Sequence, residues 1–139
     1  MATILKMVEK AKAYESATIL GVQFAVPAQV ETAINNAGVK ATRIAGDDAY
    51  ETNVEFVGNA LKVELTLDDA GFGSGLGYYD ALGSSHTLGK SNSVMFLVSK
   101  DESLNQKAYA MLENSRVPLY KARVFGGQAV ITDETVGKI

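Results

Sequence analysis

The sequence predicts an α/β fold, a mostly parallel sheet with helices on both faces in a doubly wound arrangement. Three observations carry this. Short apolar runs alternate with longer amphipathic stretches along the whole chain. The run "SVMFLVS", Ser93 to Ser99, is apolar without alternation, as a strand buried on both faces should be. Prolines and most glycines fall at the joints between these segments rather than within them.

Taken in order, an amphipathic helix spans Thr3 to Tyr14, with Ile4, Leu5, Val8 and Ala11 or Ala13 on one face and lysines between. A strand follows at Ala17 to Val22. The next helix runs from Pro27, which tolerates a helix start because it lacks an N–H, to Ala37, where Gly38 stops it. Ala41 to Ile44 is a strand, Ala49 to Gly58 a helix, and the alternating apolar residues of Leu61 to Leu67 predict another strand. A helix from Tyr78 to Gly89 leads to the strand Ser93 to Val98. Asp101 opens the helix to Asn114, with carboxylates where the helix dipole favours them. A strand at Tyr120 to Phe125 and a helix from about Thr132 close the chain. Composition shifts nowhere enough to mark a linker, so residues 1–139 are expected to form a single domain.

The totals narrow the functions. A formal net charge of -3 gives no overall basic field for nucleic acid or an anionic membrane, so an anionic partner would need a local patch. There is no cysteine, which excludes disulfides, thiolate metal sites and cysteine nucleophiles. No stretch is long enough to span a bilayer, and the N-terminus lacks the unbroken apolar run and cleavage site of a signal peptide. If the protein is exported, this chain is a mature fragment.

Two segments echo one another. "TILGVQFAVPAQVE" from Thr18 and "RVFGGQAVITDETV" from Arg123 share a strand ending in glycine, then Gln, then Ala-Val, then a helix start, with Phe24 as an extra residue in the first copy. Separated by about a hundred residues, they imply that the chain begins in the tail of one repeat and ends in the tail of the next.

The stretch "RIAGDDAYETN", Arg43 to Asn53, reads first as a strand edge, a tight turn at Gly46 and a helix N-cap at Asp48, with Glu51 completing a capping box. That explains the acids. It leaves Tyr50 and Thr52 without a structural reason.

This stretch resembles the opening signature, Arg-Ile-x-Gly-x-Asp-Arg-Tyr-x-Thr, of the cell-wall-binding repeat family of Gram-positive surface-layer proteins, adhesins and autolysins. Two further segments resemble later signatures of that family, in order: "YYDALGSSHTLGKSNSVMFLVS" from Tyr78, and "KARVFGGQAVITDETV" from Lys121, which is similar to the strand ending in Gly-Gly that closes each repeat. On this resemblance residues 17–38 are the closing unit of a preceding repeat and 41–139 one full repeat. The family implies a Rossmann-like or Toprim-like three-layer module, arranged in threes around a pseudo-threefold axis. It implies non-catalytic, non-covalent anchoring to an anionic cell-wall polysaccharide at the cell-wall surface, with no cofactor. Ligand contacts are expected from Arg43, Asp48, Tyr50, Thr52, Tyr78, Tyr79 and Asp80. Partners are expected to be the polymer and either sister modules or a homo-oligomer, a trimer being one form, and neither nucleic acid nor membrane insertion is expected. This sequence departs from the pattern at Ala49, where the family has arginine, at Tyr79, where it has proline, and at Val22 in the first Gly-Gly.

Other chemistry is weighed on the residues alone. Gly71, Gly73, Gly75 and Gly77 precede a helix as a phosphate-cradling loop would, but their spacing is not a dinucleotide fingerprint and no P-loop lysine follows, so a mobile loop at the carboxyl edge of the sheet is expected. Phe72, Tyr78 and Tyr79 beside Asp80 form a plausible sugar platform. His86 with Ser84 and Ser85 on one helix lacks triad geometry. Asp47, Asp48, Asp68 and Asp69 read as solvated loop acids before they read as metal ligands. Lys62, Lys90, Lys100, Lys107, Arg116, Lys121 and Arg123 would make a basic groove with Arg43 only if the fold brought them together. The competing structural function is an assembly module, as in a surface layer or virion, that packs as a homo-oligomer without binding polymer; the competing enzymatic one is a nucleotide- or phosphosugar-binding enzyme built on the glycine-rich segment.

Overall fold

The structure, a computed structural model, describes the backbone of residues 2–116 and 118–139, and their side chains except at positions 2–4, 7 and 78. The chain forms two compact units, Met1–Gly46 and Asp47–Ile139.

The first unit is built from α1 (Ala2–Ala11), β1 (Ser16–Leu20), α2 (Ala28–Asn36) and β2 (Lys40–Ile44). β1 and β2 pair in parallel, in register from Ser16 opposite Lys40 to Leu20 opposite Ile44. The apolar periodicity of α2 places Val30 and Ile34 one turn apart on the face it turns to the strands. There they bury Ile19 and Val39, with Val8, Ala11, Ala17, Val26 and Ala41 around them.

The second unit contains α3 (Ala49–Ala60), β3 (Thr66–Ser74), α4 (Tyr78–Lys90), β4 (Ser93–Val98), a 3-10 turn (Glu102–Asn105), α5 (Gln106–Asn114), β5 (Lys121–Phe125) and α6 (Asp133–Lys138). Its three strands are parallel in the order β4-β3-β5. Because side chains alternate across a strand, the two faces of β3 differ. Ala70 and Phe72 face α3 and α5 in a core with Val54, Val57, Phe96, Val98 and Ala108. Phe72 and Phe96 stack there at 5.3 Å between ring centroids. Gly71 and Gly73 face α4 instead: a Cβ on Gly71 would stand 2.5 Å from Leu88, and one on Gly73 3.4 Å from the Cβ of Ala81. Helices therefore cover both faces of this sheet, as expected.

Several expectations need correction. The strands form two separate parallel sheets, not one. The strand expected at Leu61 to Leu67 begins later, at Thr66, and runs on through Asp69 to Ser74. Residues 61–64 are turn, so the alternation there belongs to the exit from α3, whose Leu61 and Leu65 pack against the core. Gly71 and Gly73 consequently lie in the buried central strand rather than in a mobile loop. There the missing side chains admit α4, not a phosphate. The helix expected from Asp101 starts as a 3-10 turn, capped by Asp101 Oδ1, which accepts from the Ser103 N–H at 3.0 Å.

The internal echo is closer in the structure than in the sequence. β1, the turn after it and the start of α2 match β5, its turn and the start of α6 residue for residue, so Phe24 is not an insertion. In both copies the residue after the strand is a glycine at positive φ, Gly21 at 112° and Gly126 at 138°. Ala25 and Val26 donate to the Val22 carbonyl, as Val130 and Ile131 donate to the Gly127 carbonyl.

Candidate functional site

In parallel strands all carboxyl ends lie at one edge of the sheet, and in the second unit that edge gathers most of the residues singled out by sequence. α3 enters there under a good N-cap: Asp48 Oδ1 accepts from the Glu51 N–H at 2.7 Å. Glu51 Oε2 accepts from Asp47 N–H rather than from the cap residue itself, a capping box displaced by one position. Its carboxylate also holds Lys107 of α5. One residue into the helix, Tyr50 is buried with its ring against Gly75, just past the end of β3. The Tyr50 hydroxyl is buried and meets no hydrogen-bond partner among the described residues. Thr52 is half-buried in the first turn, its N–H donating to the Asp48 carbonyl.

α4 begins after Gly77, which has no side chain to cap the helix, so the N–H groups of its first turn are left to other acceptors. Tyr79 is 73% exposed and Asp80 is exposed. Asp80 reaches over the end of β5: its Oδ2 lies 3.5 Å from where a Cβ on Gly126 would stand. The side chain of Tyr78 lies outside the described residues. Asp48, Tyr50, Thr52, Tyr79 and Asp80 thus belong to helix starts at the same edge.

Arg43 belongs to the first unit, where its guanidinium has structural partners. Nε donates to Glu31 Oε2 at 2.9 Å and Nη1 to the Gly21 carbonyl at 2.7 Å. Of the other basic residues, Lys107 is held by Glu51 and Arg123 by Asp69 at 2.6 Å across β3 and β5. The hydrogen bond from Arg123 holds the Asp69 carboxyl below its ordinary range and raises the arginine in turn. The hydroxyls of Ser84 and Ser85 donate to carbonyls of their own helix, to Ala81 and Leu82, and His86 is exposed beside them.

Sequence reasoning missed two polar devices here. Asn53 of α3 donates to the Met95 carbonyl at 2.9 Å and accepts from the Leu97 N–H at 2.8 Å. The signal was an asparagine on the apolar stripe that holds Tyr50, Val54 and Val57. The other device surrounds Glu102, just past β4, which accepts from Thr135 of α6, from Tyr109 of α5 at 2.8 Å and from Lys138 at 3.2 Å. Burial alone would raise the Glu102 carboxyl, but these donors outweigh it and hold it below the usual range; burial and then Glu102 push Tyr109 up. Asn105, fully buried, closes the loop by exchanging hydrogen bonds with the Ser99 N–H and carbonyl, both at 2.7 Å.

These elements define a layered α/β module whose helix starts and loops converge on the carboxyl edge of a parallel sheet. The profile of the cell wall binding domain 2 (CWB2) family matches residues 43–136, and the chain belongs to that family. It is similar in structure to Cwp6 from Clostridium difficile, with a TM-score of 0.75, 24% identity and coverage of 89% of this chain and 19% of that one. It is likewise similar to Cwp8 from Clostridium difficile, with a TM-score of 0.65, 21% identity and coverage of 89% and 20%. The chain thus spans about a fifth of the length of each. No curated protein sequence matches it. Among the described residues no helix is long and apolar enough to cross a membrane, and no cluster of acids and histidine could hold a metal ion.

Proposed function

We propose that this chain is a non-catalytic anchoring module that binds an anionic cell-wall polysaccharide non-covalently as part of an exported surface protein. The observation that carries the reading is the family match over residues 43–136, coincident with the three motifs read in order from the sequence. The carboxyl edge of the second unit is the proposed contact surface. Exposed Tyr79 offers an aromatic face for a sugar ring, and Asp48, Thr52 and Asp80 offer acceptors and a hydroxyl for sugar hydroxyls. The N–H groups at the start of α4 offer donors to an anionic substituent.

Charge shapes how such binding would work. With a net charge of -3, and with Arg43, Lys107 and Arg123 all engaged by carboxylates, recognition would lean on hydrogen bonds and stacking more than on a basic field. Arg43 and Tyr50 would contribute by setting the shape of their surroundings, one tying β2 to α2 and the other supporting the loop after β3. Sister modules are the proposed protein partners, with a homo-oligomer as the form in which polymer binding is dispensable. Cosedimentation with insoluble wall material tests the reading: retention of the folded chain supports it, and its complete recovery in the supernatant would overturn it.

A further inference from the structure

The two edges of the β4-β3-β5 sheet are treated differently. On the β4 side the Asn53 amide occupies the Met95 carbonyl and the Leu97 N–H, blunting the edge against further strands. On the β5 side no strand and no such side chain engages the edge among the described residues. Ala122 and Val124, on the face that α3 and α5 cover elsewhere, are exposed there.

The first unit shows what an edge of this kind takes. Its order α1-β1-α2 repeats α5-β5-α6, and β1 matches β5 through the shared glycine turn. β1 has what β5 lacks, a parallel strand on its open side: β2 lies there, with the Gly21 N–H donating to the Ile44 carbonyl at 2.9 Å and Arg43 reaching the Gly21 carbonyl. β5 has what β1 lacks, since β3 lies along its other side, while β1 borders an apolar hollow lined by Ala17, Ile19, Val26, Val30 and Ile34. Each half holds the strand that the other is missing.

From this complementarity we infer that the free edge of β5 is the acceptor for the opening strand of a following repeat, a segment with the chemistry Lys-Ala-Thr-Arg-Ile that adds in parallel and sets its arginine on the Gly126 carbonyl. The inference rests on the internal repeat and is independent of polymer binding. By the register of β1 and β2, the incoming arginine lies opposite Val124 and the incoming isoleucine opposite Phe125. Since N–H groups alternate sides along a strand, those of Val124 and Gly126 face the acceptor edge, as Gly21 does toward β2. Main-chain hydrogen bonds supply the affinity of such strand addition, and alternate side chains supply its specificity. Two differences make the docked strand weaker here than β2 is on β1. Lys121 stands where Ser16 does, opposite the incoming lysine, and Val136 stands where Glu31 does, so the arginine keeps only its carbonyl contact.

The test uses the whole chain, isotopically labelled, with a synthetic peptide of residues 38–48. Peptide in excess is expected to slow amide exchange at Val124 and Gly126 by about tenfold or more. A peptide with proline in the Thr42 position, whose N–H would pair with the acceptor strand, should lose that protection, and one with alanine in the Arg43 position should keep less of it. Both peptide variants leave the chain itself unaltered, so no folding defect can stand in for lost binding. Unchanged exchange at Val124 and Gly126 with the unmodified peptide would overturn the inference, as would equal protection by the proline peptide.

Discussion

Tyr50 and Gly75 are in contact across the end of β3: a Cβ on Gly75 would stand 2.5 Å from the tyrosine ring. The contact couples the first turn of α3 to the loop that leads into α4, so it sets the spacing of the proposed binding edge. Removing the ring leaves a cavity that costs about 3 kcal/mol or more, and Gly75→Ala forces the ring out of its place. Both Tyr50→Ala and Gly75→Ala should therefore lower the midpoint of urea unfolding. Tyr50→Phe removes a hydroxyl that is buried without a partner among the described residues, and should leave the midpoint unchanged or raise it. Wall retention lost in Tyr50→Phe with folding intact would instead make that hydroxyl a ligand group.

The Asn53 amide makes a different prediction. Asn53→Ala leaves a strand-edge carbonyl and N–H to solvent and should cost about 1–3 kcal/mol. It also exposes β4 as a template for other chains. Light scattering should show concentration-dependent association in the variant that the parent chain lacks.

Acid should unfold the second unit in a defined order of causes. Glu102 and Asp69 have their carboxyls held below the ordinary values by donors present only in the folded chain. A folded-state value below the unfolded one adds stability above the unfolded value and loses it as the pH falls through the folded one. Stability should thus be level above the carboxylate range and fall below about pH 4, the ordinary carboxylate value. Glu102→Gln should flatten that fall while lowering stability at neutral pH. An unchanged slope in a urea titration across pH would remove Glu102 from this account.

Ala49 is exposed at the first position of α3, where the family resemblance expects arginine. Ala49→Arg should leave thermal stability within about 0.5 kcal/mol, as exposed substitutions do. It should tighten retention on anionic wall material, most visibly at low salt. Equal retention of both proteins would show that the edge near Asp48 does not meet the polymer.

The parts of this fold that were legible in the sequence are those whose causes are local. Asp48 and Asp101 cap their segments because a short acid before a helix start has a nearby N–H to accept. The strand Ser93–Val98 was readable because burial on both faces makes its apolar run unbroken. The glycines of β3 misled because their reason is remote. Gly71 is small to admit Leu88, and Asp69 tolerates a strand position because Arg123 reaches it from β5. Glu102 was invisible for the same reason, since Thr135 and Lys138 reach it from α6, far along the chain. The structural partners of Arg43 were not legible from its motif, because Glu31 and Gly21, which hold it, lie earlier in the chain.

Retention on purified cell walls, measured before and after their anionic polymers are stripped, decides whether this chain is an anchoring module. The chain should sediment with intact walls and be released to the supernatant when the polymers are gone. Equal retention on both, or retention on neither, would contradict it.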